Sequence, residues 1–273
     1  MPGPLILHIE TATDICSVAI SEGDRQLSLI ESGQERSHAR LLNSFIRQAM
    51  EEADLSFKDL QGIAVSKGPG SYTGLRIGVS TAKGLAYSLE IPLLASGTLE
   101  NMASGSASNK EVAQLIWEHG TNLLLCPMLD ARRMEVYSGF YTVENSLFRE
   151  VSADIIDEAS YRSILESHQV CFFGNGADKC KADLDHSNAH FIDGINPSAS
   201  SMISPVLSRF RKKLFEDVAY FEPFYLKDFI ATSQKRSILF RTLLSEKFYS
   251  YNTKKKGAVA RCTYKQYIDI FAH

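Results

Sequence analysis

A chain of 273 residues, of which 44% are hydrophobic and 22% charged, has ample material for a folded core. This composition excludes disordered, collagen-like and coiled-coil proteins. No run approaches the roughly 18 apolar residues needed to cross a bilayer, and the start lacks the basic and apolar regions of a signal peptide. The five cysteines include no CxxC pair, which favours reduced thiols in a cytoplasmic protein over a zinc site.

Charge is unevenly distributed along the chain. Residues 235–273 contain nine Lys or Arg against two Asp or Glu, so this basic tail carries +7 and residues 1–234 carry −10. An acidic body is a poor non-specific ligand for nucleic acid. The tail, which also contains several tyrosines, is typical either of an RNA-binding segment or of a solvated extension.

The first 95 residues predict a mixed α/β domain. Apolar or alternating runs predict strands at 5–9, 16–20, 26–30, 62–66 and 93–95. A broad apolar stripe predicts a first helix, with its N-cap at Ser37 and its end near Ala53. A second helix is predicted at 75–89. The resulting order, β-β-β-α-β-α-β, is typical of a mixed sheet with helices packed on it.

The second half repeats this order of elements. Residues 104–110 are rich in Ser, Gly, Ala and Asn and predict a linker, so we place the domains at 1–108 and 109–234. Strands are predicted at 123–126, 135–142, 147–151 and 170–173. Helices are predicted at 158–167 and 202–217, followed by an extended aromatic segment at 219–229.

The segment from Lys67 to Gly74, KGPGSYTG, lies between a predicted strand and a predicted helix. Its glycines permit close backbone approach, and a helix N-terminus presents free N–H groups to an anion. Gly68, Gly70 and Thr73 are therefore candidates for binding a phosphate. The alternative is a tight turn that needs glycine, because the segment has neither Walker nor Rossmann spacing.

The second helix carries small residues at four-residue spacing, among them Gly74, Gly78 and Ala82. A face of this kind permits close approach of another helix, either within the chain or in a partner. The first helix carries more apolar residues than one buried face needs, including Leu41, Leu42 and Phe45. These six residues are our candidate partner interface.

Metal and nucleophile signals are weak. His186 and His190 have H-x-x-x-H spacing, but the surrounding residues are typical of a polar loop. No G-x-S-x-G elbow and no cysteine signature is present. The turn at Asp130-Ala-Arg132-Arg133 is suited either to orienting an anion or to a buried structural ion pair.

Six segments in one order carry a resemblance to a known family. They are Glu10-Thr-Ala-Thr13, Ser37-His38, Lys67 to Arg76, Ala82 to Ala86, Asp130 to Tyr137, and Gly174-Asn-Gly176. The sequence from about residue 4 to 234 resembles the bacterial TsaB (YeaZ) family. The resemblance implies the actin/Hsp70/sugar-kinase fold, with two β-β-β-α-β-α domains, and an accessory role in forming N6-threonylcarbamoyladenosine at position 37 of tRNAs that read ANN codons.

The family resemblance also implies partners. These are a TsaD-like catalytic subunit, a TsaE-like ATPase, a second copy of the chain when it is alone, and tRNA reached indirectly through the complex. It implies no metal, because Thr98 and Met102 stand where the catalytic subunit has its histidines. ATP or ADP at a subunit junction is the one cofactor that it leaves open.

Two alternatives belong to the same fold class. An autonomous small-molecule kinase needs a complete set of phosphate loops, and the segment from Glu10 to Asp14 lacks the Asp-x-Gly-Thr pattern. A metallopeptidase needs the absent histidine pair. The sequence therefore favours a non-catalytic subunit with no catalytic residues of its own.

Overall fold

The computed structural model describes residues 3–32 and 38–227. The predicted N-cap Ser37 and the basic tail 235–273 lie outside these residues. All the described residues belong to one compact unit, so the predicted domain boundary at 108 stays a prediction. No helix in the described part of the chain is long and apolar enough to span a membrane.

The first sheet has five strands in the order β3-β2-β1-β4-β5. Its strands are β1 Leu5–Glu10, β2 Cys16–Glu22, β3 Arg25–Ser32, β4 Gly62–Ser66 and β5 Leu93–Ser96. Strands β1, β2 and β3 form an antiparallel meander, while β4 pairs parallel to β1 and β5 parallel to β4. All five strands confirm the sequence prediction to within a few residues.

The second sheet repeats this topology. Its order is β10-β9-β6-β7-β8, so β6 takes the place of β1 and the two later strands again pair parallel to it. Its strands are β6 Leu123–Asp130, β7 Glu135–Thr142, β8 Leu147–Ile155, β9 Gln169–Phe173 and β10 Ala189–Ile192. The predicted repeat of element order is therefore confirmed as a repeat of sheet topology.

Six helices pack on these sheets in the described part of the chain. They are α1 His38–Glu52, α2 Tyr72–Leu89, α3 Thr98–Ser106, α4 Lys110–His119, α5 Arg162–Leu165 and α6 Ile203–Arg211. Helices α1 and α2 bury their apolar sides on one face of the first sheet. Helix α6 and the turn before it cover the opposite face. Helices α3 and α4 pack on the second sheet.

The predicted linker at 104–110 is wrong as a description of local structure. Residues 104–106 end α3, and Lys110 begins α4 after a short turn capped by Asn109, whose Oδ1 accepts from the N–H of Glu111 at 2.9 Å. A Cβ at Gly105 would lie 2.1 Å from Ser201 Oγ. The small residues that suggested a linker thus permit close packing of α3 on the turn at Ser200–Met202.

Two predicted helices are shorter than expected. Helix α5 covers four residues and follows Tyr161, whose φ of 58° breaks helical geometry before it. Helix α6 ends at Arg211, and Lys213 has a φ of 55°, which stops its continuation to 217. The described part of the predicted extended segment, 219–227, contains no regular element.

Candidate functional site

A row of polar side chains marks the carboxyl ends of the parallel strands. Glu10, Ser66 and Ser96 end β1, β4 and β5, and the parallel register places them side by side. All three are fully buried. Ligand sites in open α/β sheets lie beyond the carboxyl ends of the strands. This edge is therefore where the fold would hold a bound group.

Burial dominates the chemistry of Glu10. One carboxyl oxygen, Oε1, accepts from the N–H of Ala12 at 2.7 Å, while Oε2 has no partner among the described residues. Burial raises the pKa of Glu10 to about 7, against smaller opposing effects from hydrogen bonds with Ala12 and Ser66. Glu10 is thus partly neutral near pH 7, unlike the ionised Asp with which a kinase phosphate loop organises Mg²⁺.

The raised pKa of Glu10 predicts a pH-dependent stability. Folded Glu10 keeps its proton up to about pH 7, whereas the unfolded chain releases it near the ordinary value of 4.5, so this group's contribution to stability falls between those pH values. We expect Glu10→Gln to raise the free energy of unfolding by about 3 kcal/mol at pH 8 and by little at pH 4.5. Urea titrations at both pH values measure this, with the exposed Glu111→Gln as control. An equal gain at both pH values would contradict the assignment.

The glycine loop after β4 packs against its own chain. A Cβ at Gly70 would lie 2.3 Å from the carbonyl oxygen of Ala12, and the N–H of Ser71 donates to that oxygen at 2.6 Å. Gly68 has a φ of 108°, and a Cβ there would lie 2.8 Å from the carbonyl oxygen of Phe224. These contacts fit the tight-turn interpretation of Gly68 and Gly70. Nucleotide binding by these glycines and the exposed Thr73 stays a prediction.

An extended segment near the described C-terminal end covers the start of α2. The N–H of Phe224 donates to the carbonyl of Lys67 at 2.8 Å, and the rings of Tyr72 and Tyr225 lie 4.8 Å apart. Lys83 Nζ donates to the carbonyl of Phe221 at 2.9 Å. The glycine loop is therefore held between the Glu10 loop and this segment.

The structure corrects the predicted partner interface. A Cβ at Gly78 would lie 2.3 Å from Thr11 Oγ1, and one at Gly74 would lie 2.0 Å from the carbonyl oxygen of Thr11. Ala82 and Leu42 are also buried in the same core. The small face of α2 thus packs on the chain's own β1–β2 loop, so these four residues are unavailable to a partner.

The outward surface of α1 and α2 carries different residues. Leu41 and Phe45 on α1 are only partly buried at the edge of the core. The exposed stripe of α2 consists of Thr73, Arg76, Ser80, Gly84 and Tyr87. A Cβ at Gly84 would meet nothing within 4 Å. Sequence spacing did not distinguish this outward glycine from the inward Gly78, because both lie in one helix.

Thr98 and Met102, the residues that the resemblance places where the catalytic subunit has its histidines, have side chains that do not suit a metal. Thr98 is fully buried, and its Oγ1 lies 2.7 Å from Ser66 Oγ in a hydrogen bond. Met102 is buried in the core of the second sheet. Within residues 3–32 and 38–227, no group of three His, Cys, Asp or Glu side chains converges.

The remaining candidates from the sequence have structural partners. His190 Nε2 lies 2.7 Å from Gln169 Oε1, and His186 Nδ1 accepts from the N–H of Asn188 at 3.1 Å. Lys179 forms an ion pair with Asp130 and donates to two nearby carbonyls of the same turn. The Asp130 turn thus contains a structural ion pair, although a half-exposed one.

The duplicated sheet topology and the polar row at the strand ends define a protein of the actin/Hsp70/sugar-kinase fold class. The family model described as "TsaD: tRNA N6-adenosine threonylcarbamoyltransferase" matches residues 32–235. The chain belongs to this family and, within it, to the TsaB (YeaZ) group, as the similar proteins below indicate.

Several curated relatives carry the name "tRNA threonylcarbamoyladenosine biosynthesis protein TsaB". The Bacillus subtilis protein is 34% identical over 149 residues, which are 55% of this chain and 60% of the relative. The Escherichia coli protein is 28% identical over 232 residues, which are 83% of this chain and 96% of the relative. A Desulfitobacterium hafniense protein named "tRNA N6-adenosine threonylcarbamoyltransferase" is 40% identical over 111 residues, 33% of its length.

A solved structure supports the fold. The crystal structure described as similar to peptidase YEAZ, from Pseudomonas aeruginosa, superposes with a TM-score of 0.71 at 23% identity. The superposition covers 82% of this chain and all of that one. The predicted fold class is therefore confirmed.

Proposed function

We propose that this chain is a non-catalytic subunit required for N6-threonylcarbamoylation of adenosine 37 in tRNA, acting in the cytoplasm. The relatives named TsaB support a role in threonylcarbamoyladenosine biosynthesis. One observation supports the non-catalytic role: Thr98 and Met102, which the resemblance places where the catalytic subunit has histidines, are buried core residues. Catalysis then resides in a TsaD-like partner, with a TsaE-like ATPase completing the assembly.

The proposed docking surface for the TsaD-like subunit is the outward side of α1 and α2. Leu41 and Phe45 offer partly exposed apolar area there. Ser80 and Gly84 permit close approach of a partner helix, and Tyr87 is 79% exposed beside them. A second copy of the chain would use the same surface, so homodimer and heterodimer should exclude each other. ATP or ADP is proposed at this junction.

A large side chain at position 84 should block docking of the partner without disturbing the fold. Because a Cβ at Gly84 meets nothing within 4 Å, we expect Gly84→Trp to fold normally and to weaken binding of the TsaD-like partner by about 10-fold or more. Calorimetry measures the affinity, and circular dichroism confirms folding. The control is Ala113→Trp at an exposed position of α4. Unchanged affinity for the Gly84 variant would place the docking surface elsewhere.

A further inference from the structure

An open groove lies between α6 and the turn that joins β2 to β3. Its volume is about 380 Å³. The groove is lined by Asp24, Ser204, Leu207, Ser208, Arg211 and Lys212. Asp24 comes from the turn and the other five from α6 or the residue after it. The groove is separate from both the polar row at the strand ends and the outward side of α1 and α2.

Helical periodicity explains why the polar lining residues share one side of α6. Ser204, Ser208, Arg211 and Lys212 stand at i, i+4, i+7 and i+8, which is one stripe of a helix. All four are exposed. On the opposite side, Val206 packs under the first sheet. The sequence run thus presents two hydroxyls and two cations along one edge of the groove.

Arg211 and Lys212 lie in the acidic part of the chain, residues 1–234, which carries a net charge of −10. Arg209 forms an ion pair with Glu100 at 2.7 Å, and Arg25 pairs with Glu22. By contrast, the side chains of Arg211 and Lys212 have no hydrogen-bond or ion-pair partner within the described ranges. Asp24 is the one acid in the lining, so the groove has a net positive charge.

The chemistry of the groove fits the backbone of RNA. Arg, Lys and Ser side chains are the usual donors to phosphate oxygens, and a guanidinium matches phosphate geometry. Directly after Lys213, Leu214 is 57% exposed and Phe215 is 43% exposed. The ring of Phe215 is supported edge-on by Phe210 at 5.8 Å. Phe215 follows Lys212 by three residues in the sequence, and a partly exposed aromatic ring can stack on an unpaired base.

We propose that this groove binds a phosphate of the tRNA substrate, so that the chain contacts tRNA directly and not only through the complex. The proposal rests on the proposed function and deepens it. Helix α6 covers the face of the first sheet opposite α1 and α2. RNA in the groove would therefore leave the proposed docking surface free, and both contacts can form in one assembly.

The test measures binding of a transcript of a tRNA that reads ANN codons to the full chain in complex with its TsaD-like partner. Fluorescence anisotropy is recorded from about 50 to about 200 mM salt. We expect the double variant Arg211→Ala/Lys212→Ala to bind about 10-fold more weakly and to lower the salt slope by about two. Asp24→Asn should tighten binding about twofold, because it removes the one carboxylate near the phosphate.

Matched controls separate the groove from general charge. Lys58→Ala/Lys110→Ala removes two exposed cations elsewhere and should change the affinity by less than about twofold. Equal tRNA affinity for the wild type and the groove variant overturns the proposal. Stabilisation by inorganic phosphate with unchanged tRNA binding in the variant, or binding to phosphatidylglycerol vesicles in place of tRNA, also overturns it. Co-purification of the partner is monitored throughout, since its loss would count against the proposed function and not against the groove.

Discussion

Gly78→Leu should destabilise the folded chain far more than Gly84→Leu does, although both glycines lie in α2. A Cβ at Gly78 would lie 2.3 Å from Thr11 Oγ1, and that hydroxyl cannot turn away without losing its 2.8 Å hydrogen bond to the carbonyl of Gly74. We expect Gly78→Leu to lower the free energy of unfolding by about 3 kcal/mol or more. Gly84→Leu should be neutral or stabilising by up to about 1 kcal/mol, because leucine is the better helix former.

Urea unfolding of the two variants measures this difference directly. The pair is matched in helix and in substitution, so the difference reports packing alone. If the free energies of unfolding of Gly78→Leu and Gly84→Leu differ by less than about 0.5 kcal/mol, the inward face of α2 is not packed as the structure shows. Its small residues would then again be candidates for a partner contact.

Asp154→Asn, a change in the second sheet, should lower the free energy of unfolding by a comparable amount. Asp154 accepts hydrogen bonds from both terminal nitrogens of Arg149 at 2.9 Å, from Tyr161 Oη at 2.7 Å, and from Ser138 and Ser152. Removing the charge leaves the half-buried guanidinium of Arg149 without its counterion. We expect a loss of about 3 kcal/mol at pH 7. The exposed Glu150→Gln on the same strand is the control, with an expected change below about 0.5 kcal/mol.

The pH dependence of this effect has a definite sign. Burial would raise the pKa of Asp154, but hydrogen bonds from Arg149, Ser138 and Tyr161 outweigh it and hold the pKa well below its ordinary value. The stabilisation is therefore fully present above about pH 4 and is lost as the pH falls below it. Thermal unfolding from pH 7 downward should show the wild type converging on Asp154→Asn. A constant gap between them down to about pH 2 would contradict this account.

Local patterns were sufficient to predict most of the sheet architecture. The predicted strands at 62–66 and 135–142 are strands with those same ends. Helix α3 was missed because its Ser, Gly and Asn residues are typical of loops. Helix α4 contains none of these residues and was also not predicted. Gly105 shows the physical reason, since its missing side chain serves tight packing against Ser201, which is distant in sequence.

The site was less predictable than the fold, because its geometry depends on long-range register. Glu10 and Ser66 become neighbours only through parallel pairing of β1 with β4. The spacing of Gly78 showed a small helix face but not whether that face points inward or outward. The groove beside α6 forms where the β2–β3 turn contacts a helix that is distant in the sequence. No local sequence pattern predicts that contact.

The most direct test of the proposed function is the content of N6-threonylcarbamoyladenosine in tRNA from the native host after this chain is depleted. Nucleosides from purified tRNA are quantified by mass spectrometry, with depletion rescued by either the wild type or Gly84→Trp. We predict that the modified nucleoside falls on depletion, returns with the wild type, and stays low with the docking variant. An unchanged content after depletion would contradict a required role in this modification.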